Sequence, residues 1–287
     1  MGFVAQQTAM DDIGPMLFIS LRFLLAGLAV LPFALMELKR NNHPEIVKTL
    51  TVHKSGFLAV GLAFFLGMTF QQIGLQTTSV TNAGFLTALY VILVPFIMTG
   101  FLKTRQPFII WPASTLALIG IFLLSGGSFA GFGTGDILII TSALFWAGHV
   151  IFTGRVGQQT NLPVTMATLQ FLITSLLAFV CFTVPMMFGF GEAMPTAGQL
   201  ASALPEIIYA GIIAGGLGFT LQAIGQRHTS ESAAAVLIST ESLFAAMFGA
   251  IFLSERLPAL GYAGCGMIFT AILMVELMPG KNSTQKA

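Results

Sequence analysis

The chain of 287 residues is 55% Ala, Val, Ile, Leu, Met, Phe, Trp, Tyr and Cys, only 8% charged, and carries a net charge of +1. A water-soluble domain carries about 25% charged residues, so 12 basic and 11 acidic side chains cannot clothe this chain for water, and most of its surface must face lipid. That excludes a cytosolic enzyme and a disordered chain, and the absence of a basic face excludes a nucleic-acid binder.

A bilayer core needs about 20 apolar residues per helix, because every backbone group in lipid must be bonded within its own segment. In chain order such runs fall at 13–37, 55–75, 80–102, 108–126, 135–154, 162–188, 204–226, 231–253 and 258–278, which predicts nine full spans. They lack the ten-residue alternation of a membrane barrel. Ahead of the first, Met1–Met10 reaches about half-way across at 1.5 Å per residue. Turn chemistry divides the runs: Asp11-Asp12, Asn41-Asn42-His43-Pro44, Ser125-Gly126-Gly127 and Asn161-Leu162-Pro163. Gly131–Gly135 lacks the spacing of a phosphate loop and reads as an inter-helix turn. Cys181 and Cys265 lie inside apolar runs, where they read as small packing residues rather than a disulfide. The positive-inside rule gives the orientation. With the 38–54 loop in the cytoplasm, Lys39, Arg40, Lys48, Lys54, Lys103, Arg105, Arg155, Arg227, Lys281 and Lys286 all fall inside, and only Arg256 falls outside. Asp11, Asp12, Asp136, Glu192 and Glu255 mark the outer face, and the C-terminus is cytoplasmic.

An internal repeat organises these spans. Leu66–Pro107 laid over Leu217–Pro258, at an offset of 151, gives 14 identities in 42 positions without a gap. Chance would give about three or four. Earlier, Phe23-Leu24 matches Phe171-Leu172 at an offset of 148. The unit holds five helices, an odd number, so two copies in series insert with opposite orientation, the arrangement of secondary transporters with a solute site between the halves. The expected fold is an all-α polytopic membrane protein of ten helices in a 5+5 inverted repeat. The repeats cover 1–126 and 135–278, with a cytoplasmic tail at 279–287. The first helix is truncated at its N-terminal half, as though about 10–15 upstream residues were absent through a shortened chain or a late start codon.

Ionisable and polar side chains at membrane depth are functional candidates by default. Arg22, in the first full span, either binds a substrate carboxylate or ties helices together through carbonyls. Gln71 and Gln222 are repeat equivalents that either line a cavity or bond between helices. Asn82 stands beside a stripe of Ala83, Thr87 and Tyr90. Trp146, His149 and Thr153 share one helix face, suited either to a pocket wall or to a satisfied core histidine. Glu241 lies near the midplane at the register of Tyr90. It is a proton-coupling candidate together with His149, and the acidic partner for Arg22 if their faces meet. Pro95 is placed to kink its helix at mid-membrane.

The sequence resembles the EamA-type branch of the drug/metabolite transporter superfamily. Gly2-Phe3-Val4-Ala5, Leu21-Arg22-Phe23-Leu24-Leu25-Ala26, Phe145-Trp146-Ala147, Thr240-Glu241-Ser242-Leu243-Phe244 and Leu253-Ser254-Glu255-Arg256-Leu257 carry the likeness. Ser242 replaces a proline usual in that family, implying a straighter helix near Glu241 than in relatives, and Ser254 replaces a glycine. The resemblance implies an inner-membrane secondary transporter of a bacterium, exporting a small organic metabolite or amino acid by alternating access, with proton coupling through Glu241 or His149. Multidrug efflux, metabolite uptake and a non-transporting membrane assembly or sensor are the alternatives. The expected partners are a small-molecule substrate and the bilayer, with no nucleic acid, cofactor or metal, as a monomer or homodimer. No HExxH, GxSxG or paired-Asp motif of an intramembrane enzyme occurs in the spans.

Overall fold

The computed structural model describes residues 2–40, 43–124, 126, 133–244, 247 and 259–278, and all regular structure among them is helical. The helices are α1 (Gly2–Ala9), α2 (Pro15–Lys39), α3 (His43–Val52), α4 (Lys54–Gly74), α5 (Val80–Thr87), α6 (Tyr90–Gly100), α7 (Ile110–Leu124), α8 (Thr134–Thr160) and α9 (Pro163–Met187). There follow α10 (Ala197–Ser202), α11 (Leu204–Ile208), a π-helical segment Tyr209–Phe219, α12 (Thr220–Gln226), α13 (Glu231–Ile238) and α14 (Ala259–Leu277). Seven helical stretches are long and apolar enough to cross a membrane. The chain is therefore a multi-pass membrane protein. The expected span at 108–126 is helical only over the 15 residues of α7. The expected span at 231–253 runs beyond the described residues, as do Glu255, Arg256, the 279–287 tail and the expected turns around 41–42, 127 and 131–132.

The α2–α9 pair forms the most extensive interface. Both helices open on a proline, Pro15 and Pro163, whose missing N–H costs nothing at the first helical position. Neither N-cap, Gly14 or Leu162, supplies a side-chain cap. Each helix is capped instead by a carboxylate from beside the far end of the other. Glu192, beyond the end of α9, accepts the N–H groups of Met16 (2.6 Å) and Leu17 (3.1 Å). Glu37, at the end of α2, accepts those of Val164 (3.2 Å) and Thr165 (2.7 Å) together with the Thr165 hydroxyl (2.7 Å). The capped positions are equivalent at the offset of 148, and the crossed caps show that the helices run antiparallel. A carboxylate on a helix N-terminus satisfies orphan donors and complements the dipole. Gly14 leaves room for it, since a Cβ there would stand 2.3 Å from Glu192 Oε2. Midway along the pair Phe23 stacks on Phe171, its equivalent in the other half, at 5.9 Å and 11°. Phe64 of α4 meets both rings, closing the largest core cluster.

Two spans are broken at equivalent positions. α5 ends at Thr87 and α6 begins at Tyr90, while α13 ends at Ile238 and helix resumes at 240. The first break precedes Pro95, which lies inside α6. The second lies two residues before Glu241. The Ser239 hydroxyl turns back onto the Val236 carbonyl and the Thr240 hydroxyl onto that of Leu237 (2.7 Å), the local competition by which Ser and Thr loosen a helix without proline. Both spans also start alike, with Ser79 accepting from the Asn82 N–H (3.1 Å) and Ser230 from that of Ala233 (3.4 Å).

Neither cysteine fills the core, contrary to expectation. Cys181 is exposed and Cys265 half-buried. An apolar run in lipid does not distinguish an inward from an outward face. Many large apolar side chains, Leu28, Phe33, Leu176 and Phe179 among them, likewise face outward.

Glu192 lies outside the spanning helices, and burial raises its pKa above the ordinary 4.5 although the two N–H bonds pull it back. Its share of stability is therefore full below pH 4.5 and declines as pH rises through the raised value. Thermal unfolding of detergent-purified protein should show a fall in midpoint over that interval, and Glu192→Gln should remove that component of the slope.

Candidate functional site

A cavity of about 490 Å³ opens where the broken spans meet α2, α4, α8 and the π-helical segment. Six of the eight residues singled out by sequence border it: Arg22, Gln71, Tyr90, Trp146, Gln222 and Glu241. Tyr90 and Glu241 each lie just past a helix break and are within electrostatic reach of one another. Asn82 is not on the cavity; it sits in the first turn of α5 with its N–H on Ser79. His149 is not on it either. It is 1% exposed, its Nε2 lies 2.8 Å from Gln170 Oε1 and 3.2 Å from Thr153 Oγ1, and its ring packs on Phe64 and Trp146 at 5.0 and 5.6 Å. It forms a layer behind the wall that Trp146 presents.

The wall is aromatic and held by hydrogen bonds. Trp146 lies flat on Phe219 at 5.7 Å and 5°, and its indole N–H donates to Gln71 Oε1 at 3.0 Å. Gln71 Nε2 donates in turn to Gln6 Oε1 (3.1 Å), while Gln72 Nε2 reaches the Gln6 carbonyl (2.9 Å). Gln71 thus both lines the cavity and bonds between helices. Gln6 and the lining residues Met68, Tyr209 and Phe219 are not distinguished in the sequence. A single glutamine in a short N-terminal segment has no periodicity or repeat partner to mark it. The π-helical segment brings Tyr209, Ala210, Ala214, Gly215, Gly218 and Phe219 to the cavity. Its Gly211 lies so close to α2 that a Cβ would stand 2.7 Å from the Arg22 carbonyl.

Arg22 is only 3% exposed. Its guanidinium lies 4.9 and 4.6 Å from the Phe18 and Phe23 ring centroids, and Nη2 reaches the Met68 sulfur at 3.0 Å. Among the described residues Nε has no hydrogen-bond partner, and neither has the buried Thr87 hydroxyl on the same cavity. The expected carbonyl ties are not what holds the Arg22 side chain, and among the described residues no ion pair joins it to Glu241.

Toward the end of the bundle bearing Arg155 and Arg227 the cavity is closed by Val94 and Met98 of α6, Val150 and Ile151 of α8, and Ala234 and Ala235 of α13. Beyond this layer a second cavity of about 590 Å³ is bordered by Met98, Arg105, Gln158, Arg227, Glu231 and Glu276. Polar contacts pin the α12–α13 turn across it. Arg155 pairs with Glu231 (3.7 Å), Gln158 donates to the Thr229 carbonyl (3.0 Å), Arg227 to Asn161 Oδ1 (2.7 Å) and Ser232 to Gln106 Oε1 (2.7 Å). The described part of the chain thus has a solvent-sized space at mid-bundle and a polar, separable contact set on one side of it. No group of His, Cys, Asp and Glu among the described residues is arranged to hold a metal.

Residues 1–126 and 133–277 match the profile of the EamA-like transporter family. An "Uncharacterized transporter" of Archaeoglobus fulgidus (strain ATCC 49558 / DSM 4304 / JCM 9628 / NBRC 100126 / VC-16) is 33% identical over 279 residues, covering 96% of this chain and 81% of that protein. "Uncharacterized transporter YwfM" of Bacillus subtilis (strain 168) is 26% identical over 188 residues, 65% of this chain and 60% of its own length. A solved crystal structure superposes with a TM-score of 0.70 over 96% of this chain and 94% of its own at 16% identity, a likeness of fold alone.

Gln71 joins three helices, so Gln71→Leu should leave the Trp146 N–H and Gln6 Oε1 without their partners at a cost of about 1–3 kcal/mol each. Thermal unfolding in detergent reads this loss, and Gln71→Glu, which keeps the acceptor for Trp146, should lose less.

Proposed function

Since this chain belongs to the EamA-like transporter family, we propose that it is a secondary transporter exporting a small organic metabolite or amino acid across the bacterial inner membrane by alternating access. The observation that carries this is the charged, aromatic-walled cavity at two helix breaks, separated from a second cavity by one apolar layer and a belt of polar contacts. Broken helices are tolerated at membrane depth only where they line a cavity or are covered by protein, and solute sites of secondary transporters occupy such places.

The finer architecture is a ten-helix, 5+5 inverted repeat with the C-terminus in the cytoplasm. The crossed caps of α2 and α9, the stacked Phe23 and Phe171, the breaks at offset 151 and the two matched segments 1–126 and 133–277 support it. In this orientation the basic end with Arg155 and Arg227 is cytoplasmic, and the α12–α13 turn is the inner gate. Glu241, on the cavity wall, exchanges the coupling proton. His149, enclosed behind Trp146, is less suited to that role.

Purified protein in liposomes tests this by counterflow with a panel of amino acids and small organic acids and amines. Counterflow of at least one solute is expected, with a proton gradient driving accumulation and Glu241→Gln keeping exchange but losing the dependence on the gradient. In a background lacking Cys181 and Cys265, Gln158→Cys with Thr229→Cys should cross-link the gate and stop transport until a reductant is added. Absence of counterflow across the panel, or full transport with the gate cross-linked, contradicts the reading.

A further inference from the structure

We propose that the segment 187–194, between α9 and α10, is a bilayer anchor. It forms a fixed aromatic wedge seated where headgroups meet acyl chains, in the leaflet at the end of the bundle away from Arg155 and Arg227. Within eight residues it carries Met187, Phe188, Phe190 and Met194, each 65 to 80% exposed. Apolar surface gathered in this way marks contact with a partner or a membrane. The rings are held in place. α9 ends in a Schellman turn, in which the Phe190 N–H donates to the Pro185 carbonyl (3.1 Å) and the Gly189 N–H to that of Met186 (3.1 Å), with Gly189 left-handed at φ 78°. In such turns an apolar residue at the place of Phe190 often packs back onto its own helix. Here Phe190 stacks on Phe188 instead, at 6.4 Å and 24°, and both rings stay exposed. Gly191, at φ 103°, lies against the helix end, where a Cβ would stand 2.7 Å from Pro185 Cβ. The chain thus doubles back on α9 and does not stand off into water.

The depth of the wedge follows from its ties. Glu192 fastens the segment to the Met16 and Leu17 N–H groups in the first turn of α2. The 25 residues of α2 measure about 37 Å against a core of about 30 Å, so that turn stands close to the edge of the core. On α9 itself, Leu176, Val180, Val184 and Phe188 recur every four residues, with Met187 beside them, as one outward stripe. Helical side chains lean toward the N-terminus of their helix, so those of Val184 and Met187 point back into the membrane. The wedge continues a surface that already belongs to lipid, and a docked protein would have to displace lipid from both. Its seat is apolar, because no Lys, Arg or His occurs between Arg155 and Arg227 to draw anionic headgroups. Through Glu192 the wedge holds the end of α9 and the start of α2 at one depth, whatever the cavity carries.

Nitroxide labels on the full chain, reconstituted in phosphatidylcholine vesicles, test the seat. In protein lacking Cys181 and Cys265, Phe188→Cys, Phe190→Cys, Leu176→Cys and Asp11→Cys are labelled one at a time. Collisions with oxygen, which concentrates in lipid, are compared with collisions with a water-soluble nickel chelate present on both sides of the vesicle. Labels at 188 and 190 should behave like that at 176, favouring oxygen and losing access to the chelate. The label at Asp11, an exposed residue of the turn before α2, should keep that access. Adding phosphatidylglycerol should change neither result. Since a nitroxide is itself partly apolar, Phe190→Trp is a second probe. Its added emission should be quenched more by phosphatidylcholine brominated near the top of the acyl chain than by lipid brominated near the chain end. Labels at 188 and 190 as open to the chelate as that at Asp11, or added emission indifferent to brominated lipid, overturn the proposal. Loss of chelate access only in the presence of phosphatidylglycerol contradicts an apolar seat. Spin–spin broadening at 190 that survives dilution of the protein in lipid assigns the surface to a second copy of the chain and overturns the proposal as well.

Discussion

Every backbone N–H and C=O at membrane depth must find a partner within the protein, and this one requirement organises the molecule. It makes the spanning stretches helical and decides where a helix may stop. At the breaks, Ala88–Leu89 and Ser239, the N–H groups are kept bonded by local turns: Leu89 to the Leu86 carbonyl (3.2 Å) and Ser239 to that of Val236 (3.1 Å). The breaks occur where α8 packs against α5, α6 and α13, and where hydroxyls of Ser239 and Thr240 take up main-chain carbonyls. The space these breaks create carries the polar side chains Tyr90 and Glu241. Local loss of regularity and the collection of chemistry at one depth are thus a single feature.

The same requirement acts at the helix ends. Glu37 and Glu192 each close the N-terminus of the other half's helix, so α2 and α9 are tied at both ends and stacked through Phe23 and Phe171 between them. The contacts holding the α12–α13 turn are of another kind, with an ion pair at 3.7 Å and side-chain bonds to exposed turn residues. Water can replace them one by one. A bundle tied along one pair and pinned by hydratable contacts elsewhere is suited to move at the pins.

Much of this was legible in the residues. The low charge, the run lengths and the 151-residue offset indicated a polytopic helical membrane protein, and Arg22, Gln71, Tyr90, Trp146, Gln222 and Glu241 stood out because polar groups are rare in such runs. The rotation of each helix about its axis was not legible. His149 shares a face with Trp146 in projection, yet it turns toward Gln170 of α9 and lies behind the indole. Asn82 belongs to the start of α5, above the cavity rather than on it. The outward placement of Cys181 was hidden for the same reason, since apolar sequence is equally at home against lipid and in the core. The break at Ser239 depends on hydroxyl rotamers, whereas proline drew attention to Pro95.

The central claim is that the two breaks border a water-accessible cavity shared by the charges of Arg22 and Glu241. Thiol accessibility tests it most directly. In protein lacking Cys181 and Cys265, reconstituted in vesicles, Tyr90→Cys and Glu241→Cys should each react with a membrane-impermeant, water-soluble thiol reagent, while a cysteine replacing the outward-facing Leu176 should not. Failure of both cavity positions to react in folded protein, or reaction no faster than at position 176, would contradict the account.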